Sequence, residues 1–253
     1  MSLPEASFAA PEEEKGFSGK RGLALRILIT FVAMAIWFWT QSLLGARNSP
    51  TTSIGDGLHN LTAPLNAYFQ GAPCAANALL IVSSALIDAI AIFLLASWIF
   101  AGRLRPLLGL AILLVTRQLM QALVSLPPPP GIIWHYPGVP SLLVTYGVAN
   151  DFFFSGHTAI AVFGATELAR FRKTWLTVLA VSVVIFEIAA VLVLRAHYTM
   201  DVFTGALAAV CVAQLCSRIS EDPEDRVLAE ARLEKCGKTY TSDEVRRQLG
   251  DED

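Results

Sequence analysis

Ile27-Leu-Ile-Thr-Phe-Val-Ala-Met-Ala-Ile-Trp-Phe-Trp-Thr-Gln-Ser-Leu-Leu-Gly-Ala46 contains no charged residue. A helix needs roughly 20 mostly apolar residues to cross a bilayer, and this stretch supplies them. It is too long for a signal peptide, and an acidic, Pro-bearing lead precedes it. Working outward, five more apolar runs follow. They are Ala75 to Phe100, broken only by Asp88; Leu107 to Leu126, broken by Arg117; Phe152 to Ala169, shorter and carrying His157 and Glu167; Thr174 to Leu194, with Glu187 inside; and Met200 to Ser217. The reading is an all-α integral membrane protein with six transmembrane helices. Residues 23–217 form the membrane body, between an N-terminal tail at 1–22 and a C-terminal tail at 218–253. Composition agrees: 16% of the 253 residues are charged, against about 25% in ordinary soluble domains. Mean hydropathy is +0.54, and a net charge of −2 offers no footprint for nucleic acid.

Lys and Arg near the spans orient the chain. With both termini in the cytosol, sixteen of the nineteen lie inside and two outside, Arg47 and Arg195, while Arg117 sits within a span. The first, third and fifth loops then face the extracytosolic side. The third loop opens on Pro127-Pro128-Pro129-Pro130, which enforces an extended path. It continues through Trp134, Tyr136 and Leu142-Leu143-Val144, too apolar for a free loop, and is expected to lie at the membrane interface as a roof over the outer span ends. In the C-terminal tail, Asp225 to Cys236 reads as a short surface helix. Cys74, Cys211, Cys216 and Cys236 are not placed to form a disulfide framework, and no Cys/His spacing matches a zinc site. Asn60-Leu61-Thr62 is a glycosylation sequon on the outer side, usable where the host has that machinery.

The chemistry sits at the outer span ends. Ser155-Gly156-His157-Thr158 opens the fourth span and His197-Tyr198-Thr199-Met200-Asp201 the sixth. If the second stretch is helical, His197 and Asp201 share a face, and a carboxylate beside an imidazole fixes its tautomer. Two histidines at one depth, one of them oriented, can share the nucleophile and acid/base roles of phosphoryl transfer without metal or cofactor. The bland alternative is that both only face interfacial water. Ionisable groups at membrane depth are costly, which favours the functional reading.

These two stretches resemble the second and third signatures of the type-2 phosphatidic acid phosphatase superfamily. The tighter likeness is to its sphingomyelin synthase-like branch, which carries Phe-Ser-Gly-His-Thr and His-Tyr-Thr-Ile-Asp on six spans and includes plant phosphatidylcholine:diacylglycerol cholinephosphotransferases. Here the stretches read Phe154-Ser155-Gly156-His157-Thr158 and His197-Tyr198-Thr199-Met200-Asp201, and the motif likeness covers about 115–205. Arg117, Gln121 and Leu126-Pro127 are similar to that branch's arginine-bearing third span. The resemblance implies His197 as nucleophile, Asp201 as its orienting carboxylate and His157 as the acid that protonates the leaving diacylglycerol oxygen and then deprotonates the acceptor. It implies a phosphohistidine-type intermediate on the extracytosolic leaflet, a phospholipid donor (phosphatidylcholine first), and ceramide or diacylglycerol as acceptor. Arg117, Gln121, Ser155, Gly156 and Tyr198 become candidate phosphate contacts.

Departures from the phosphatase branch point the same way. Arg105-Pro106 is the only dipeptide comparable to that branch's first signature; Trp98 stands at its Lys position, and the pair falls on the cytosolic side. Val191 stands where that branch has an Arg, with Arg195 two residues before His197. A monoester dianion needs several cationic donors and a phosphodiester fewer, so head-group transfer is favoured over a lipid phosphatase or phospholipase-C-like hydrolase. A catalytically silent lipid-binding scaffold is a third reading. A transporter is disfavoured because no span shows paired Gly/Pro breaks. Arg117 would bind lipid phosphate or pair with Glu187 at similar depth. Asp88 reads as a helix–helix polar contact, Glu167 as a snorkelling or packing residue, and Tyr198 as an interfacial anchor. Asp56 and His59 in the first outer loop would line the site or select the head group, or, as the favoured reading, are solvated loop residues. The host membrane, bacterial plasma membrane or Golgi and related compartments, is left open.

Overall fold

The computed structural model describes residues 19–45, 54–146 and 152–219. The expected Asp225 to Cys236 helix and most of both tails lie outside them. The described chain is helical without strands: α1 (Gly19–Gly45), α2 (Gly57–Leu61), α3 (Ala63–Gly71), α4 (Pro73–Ile99), α5 (Leu104–Leu123), α6 (Gly156–Ala169), α7 (Thr174–Val193) and α8 (Thr199–Ile219). Five of these, α1, α4, α5, α7 and α8, are long and apolar enough to cross a membrane. Helices satisfy their backbone groups internally, which hydrocarbon demands, and Phe31, Trp39, Val178, Ile185 and Phe203 face outward unpacked. α6 is 14 residues, about 21 Å at 1.5 Å per residue, because its run begins with a non-helical lead-in at Phe152–Ser155.

Short α6 is the axis of the bundle, packed against α4, α5, α7 and α8. Small residues let those backbones approach. A Cβ at Gly109 would fall 1.9 Å from the Phe163 ring, and one at Gly205 would fall 2.5 Å from the Ser155 carbonyl oxygen. The core joins Ile87, Ala91 and Leu94 of α4, Leu110 and Leu113 of α5, Ile160 and Phe163 of α6, and Ala209 and Val212 of α8. Near the other end, Arg105 and Glu167 form a buried ion pair at 3.0 Å, with an Arg105 Nη donating to the Ala213 carbonyl. Glu167 therefore neither snorkels nor merely packs. A carboxylate at this depth needs a partner, and Arg105 is close enough to be one.

The connection from α5 to α6 is the part of the fold that builds the site. It runs along α4. His135 Nε2 lies 2.7 Å from Asn77 Oδ1, and Tyr146 hydrogen-bonds Ser84. Asp88, sixteenth residue of α4, accepts from Ser141 Oγ (2.9 Å), the Leu142 N–H (2.8 Å) and the Leu143 N–H (3.1 Å). That places the turn roughly 22 Å along the helix from its start. Irregular backbone at membrane depth must find its hydrogen bonds inside protein, and Asp88 provides them. Its role is to anchor this loop, a correction to the helix–helix contact expected above. Leu143, so held, joins the core between helices.

A candidate active site at one end of the bundle

α2 and α3 lie between α1 and α4, and they decide where His197 sits. Asp56 caps α2, accepting from the Leu58 and His59 N–H groups. Its carboxylate also takes the Thr199 N–H and hydroxyl, each at 2.6 Å. Burial raises the Asp56 pKa, but the bonds from Thr199 and His59 outweigh it and hold the carboxyl below its ordinary value. His59 is 3% exposed, with Nε2 2.9 Å from the His197 carbonyl oxygen and its ring stacked on Tyr198. Neither is a solvated loop residue. They clamp the chain at 197–199 from outside. Asn66 of α3 adds a brace, donating to the carbonyls of Gly131 and Val193, and Arg195 donates to those of Pro130 and His59.

His197 precedes α8 rather than lying in it. Its Nδ1 is 2.7 Å from the Phe152 carbonyl oxygen and 3.8 Å from Asp201 Oδ2. A carbonyl only accepts, so Nδ1 carries the proton and Nε2 presents a lone pair. The tautomer is fixed chiefly by a backbone carbonyl, a partner that residue spacing could not disclose. Asp201, third residue of α8, reaches back to the Tyr198 N–H at 2.8 Å, as acidic residues do at helix starts. It remains a fully buried carboxylate beside the imidazole. The two motifs are tied directly, the Ser155 N–H donating to the Asp201 carbonyl at 3.1 Å. Strained backbone brackets both: Phe154 has φ 78° and Arg195 φ 53°, a region costly for side-chain-bearing residues.

His157 and His197 line one cavity of about 40 Å³, together with Arg117, Gly156, Trp37, Trp134, Phe152 and the roof residues Leu143, Val144 and Thr145. His157 is buried, and its Nε2 has no hydrogen-bond partner among the described residues. Arg117 lies against the start of α6: a Cβ on Gly156 would sit 3.1 Å from its Nε. It donates to Gln41 at 2.7 Å and stands over the Trp37 ring. Glu187, the alternative partner, instead accepts from Ser83 at 2.6 Å in a separate buried contact. Of the candidate phosphate contacts, Arg117 and Gly156 line the cavity. Gln121 is fully buried off it. Ser155 caps α6 through the Thr158 N–H, and Tyr198 is buried with its hydroxyl on the Pro127 carbonyl. Among the described residues no group of three His, Cys, Asp or Glu is placed to hold a metal, and Cys74, Cys211 and Cys216 form no disulfide with one another.

The sequence model of the AtPDCT1/2 family matches residues 56–218, more than half of the chain, from the Asp56 clamp through both histidine motifs to the end of α8. No curated protein and no solved structure matches the chain. A multi-pass bundle, helical throughout its described elements and with its histidines gathered at one end, this chain belongs to the AtPDCT1/2 family, the phosphatidylcholine:diacylglycerol cholinephosphotransferases.

Proposed function

We propose that the protein transfers phosphocholine from phosphatidylcholine to diacylglycerol by way of a His197 phosphoramidate. The observation that carries this is the shared cavity: a histidine with a bare Nε2, a second histidine with an unengaged ring nitrogen, and Arg117 at a helix N-terminus. Helix N-termini and guanidinium groups both favour anions, so the phosphodiester is held by Arg117 and the start of α6. His197 Nε2 attacks phosphorus. The bond from phosphorus to the glycerol oxygen breaks, and that oxygen leaves with the electron pair and takes a proton from His157. An incoming diacylglycerol hydroxyl then gives its proton to His157 and attacks phosphorus, and the P–N electrons return to Nε2. Leaving group and acceptor are the same kind of alcohol, so one acid/base residue serves both halves of the reaction. The Asp201 carboxylate stabilises positive charge on His197 during attack.

Six crossings with cytosolic termini fit this scheme and put the histidines at the extracytosolic face. The short α6 is compatible because its lead-in, including Phe152, Phe154 and Ser155, is buried in protein rather than lipid. A sphingomyelin synthase-like ancestry remains part of the proposal, with ceramide as a competing acceptor.

Purified protein in liposomes, given head-group-labelled phosphatidylcholine and diacylglycerol, is expected to make labelled phosphatidylcholine on the new acyl backbone. His197→Ala should lower the rate by at least about 10³-fold, and His157→Ala by about 10²- to 10⁴-fold. Label released only as free phosphocholine would replace transfer with hydrolysis, and full activity in His197→Ala would overturn the site.

A further inference from the structure

Resting on the phosphocholine reading, we propose that Trp134 is the seat of the head group's trimethylammonium. A quaternary ammonium has no N–H to give to carbonyls or carboxylates, and it is drawn to the face of an aromatic ring within about 6 Å, Trp above all. The described cavity lining holds no carboxylate and three aromatics, Trp37, Trp134 and Phe152. Trp37 is covered by the Arg117 guanidinium, 5.2 Å from its ring. Phe152 is 2% exposed and packed with Leu126 and Tyr198. Trp134 is half-buried and lies 5.3 Å from the His157 ring, nearly perpendicular to it. Its indole N–H donates to the Thr145 carbonyl at 3.1 Å, which fixes the ring before any lipid arrives. Tyr146 backs the ring at 5.2 Å from outside the cavity lining, with Tyr136 against Tyr146 in turn. The choline nitrogen is only four covalent bonds from phosphorus, within reach of a ring beside His157. A primary ammonium would find few acceptors there, so this ring selects for methylation at nitrogen.

The test uses the full-length protein in liposomes with a donor series carrying three, two or no methyl groups on nitrogen, and diacylglycerol as acceptor. Trp134→Leu is expected to lower kcat/KM about 30-fold for the trimethyl donor and progressively less as methyls are removed, chiefly through KM. Trp134→Phe, which keeps a ring in the same space, should fall between wild type and leucine in its preference for the trimethyl donor. Parallel losses for all donors, or a phenylalanine variant no more selective than leucine, would overturn the assignment and leave the transfer reading standing. A wild type that turns over none of the donors would overturn both.

Discussion

At the scale of the residue, His197 owes its tautomer to the Phe152 carbonyl and its position to His59, with the Asp201 carboxylate 3.8 Å away. In a serine-protease triad, replacing the carboxylate by its amide reverses the imidazole tautomer and costs about 10⁴ in kcat. Here the carbonyl keeps the tautomer, so Asp201→Asn is expected to lower kcat by only about 10- to 100-fold, with the Tyr198 N–H still accepted by the amide oxygen. Initial rates at saturating phosphatidylcholine would show it, and a loss as deep as that of His197→Ala would place the tautomer control on Asp201 after all. Asp56 offers a pH signature. Its folded-state pKa lies below the ordinary 3.8, so protons bind the unfolded chain more readily, and its stabilisation is complete above that value and lost as pH falls through the folded one. The Tm gap between wild type and Asp56→Asn in detergent should be level above about pH 5 and close below about pH 4. A gap that persists unchanged into acid would show that the Thr199 bonds do not depend on the carboxylate's charge.

At the scale of the element, the loop between α5 and α6 is what closes the cavity, and Asp88 is what holds it down. Three hydrogen bonds to a carboxylate pin Ser141, Leu142 and Leu143, and the next two residues, Val144 and Thr145, line the cavity. Asp88→Ala is expected to cost about 2–4 kcal/mol of stability and to lower kcat at least about tenfold, although its carboxylate never meets substrate; Asp88→Asn should lie between. Thermal unfolding and steady-state kinetics on the same preparations decide it, since a stability loss with unaltered kinetics would make the loop mere packing. The sequence showed that this segment was too apolar to be free, but what holds it was not legible. It is held by Asp88 on α4, whose own run gave no hint of whom it would bind. α2 and α3 were passed over for a related reason. Five and nine residues long, they are too short for periodicity to speak, although Asp56 before α2 and Pro64 near the start of α3 are start signals.

At the scale of the whole molecule, four of the five long helices were legible within a few residues, because lipid leaves a backbone little choice but to satisfy itself; α1 begins at Gly19, eight residues before its uncharged run, and takes in Lys20, Arg21 and Arg26. That the two histidine motifs meet was legible too, because ionisable groups in apolar runs are rare enough to stand out, and His157 and His197 do line one cavity. What the sequence hid were contacts between elements far apart in the chain: His59 with residue 197, Asp56 with 199, Asp88 with 141–143, and Arg105 with Glu167. Each joins two groups that look unexplained alone. They also show how the molecule divides its polar side chains, with an ion pair near one end of α6 and a hydrogen-bonded histidine cluster at the other. In the proposed reaction this cluster takes the head group onto His197. The most direct measurement supplies liposome-embedded enzyme with phosphatidylcholine and no acceptor, quenches under alkaline conditions that preserve phosphohistidine, and maps the adduct by peptide mass spectrometry. The expected result is phosphocholine on His197, absent in His197→Ala and discharged when diacylglycerol is added. An adduct on His157, or undiminished transfer with no adduct on either histidine, would contradict it.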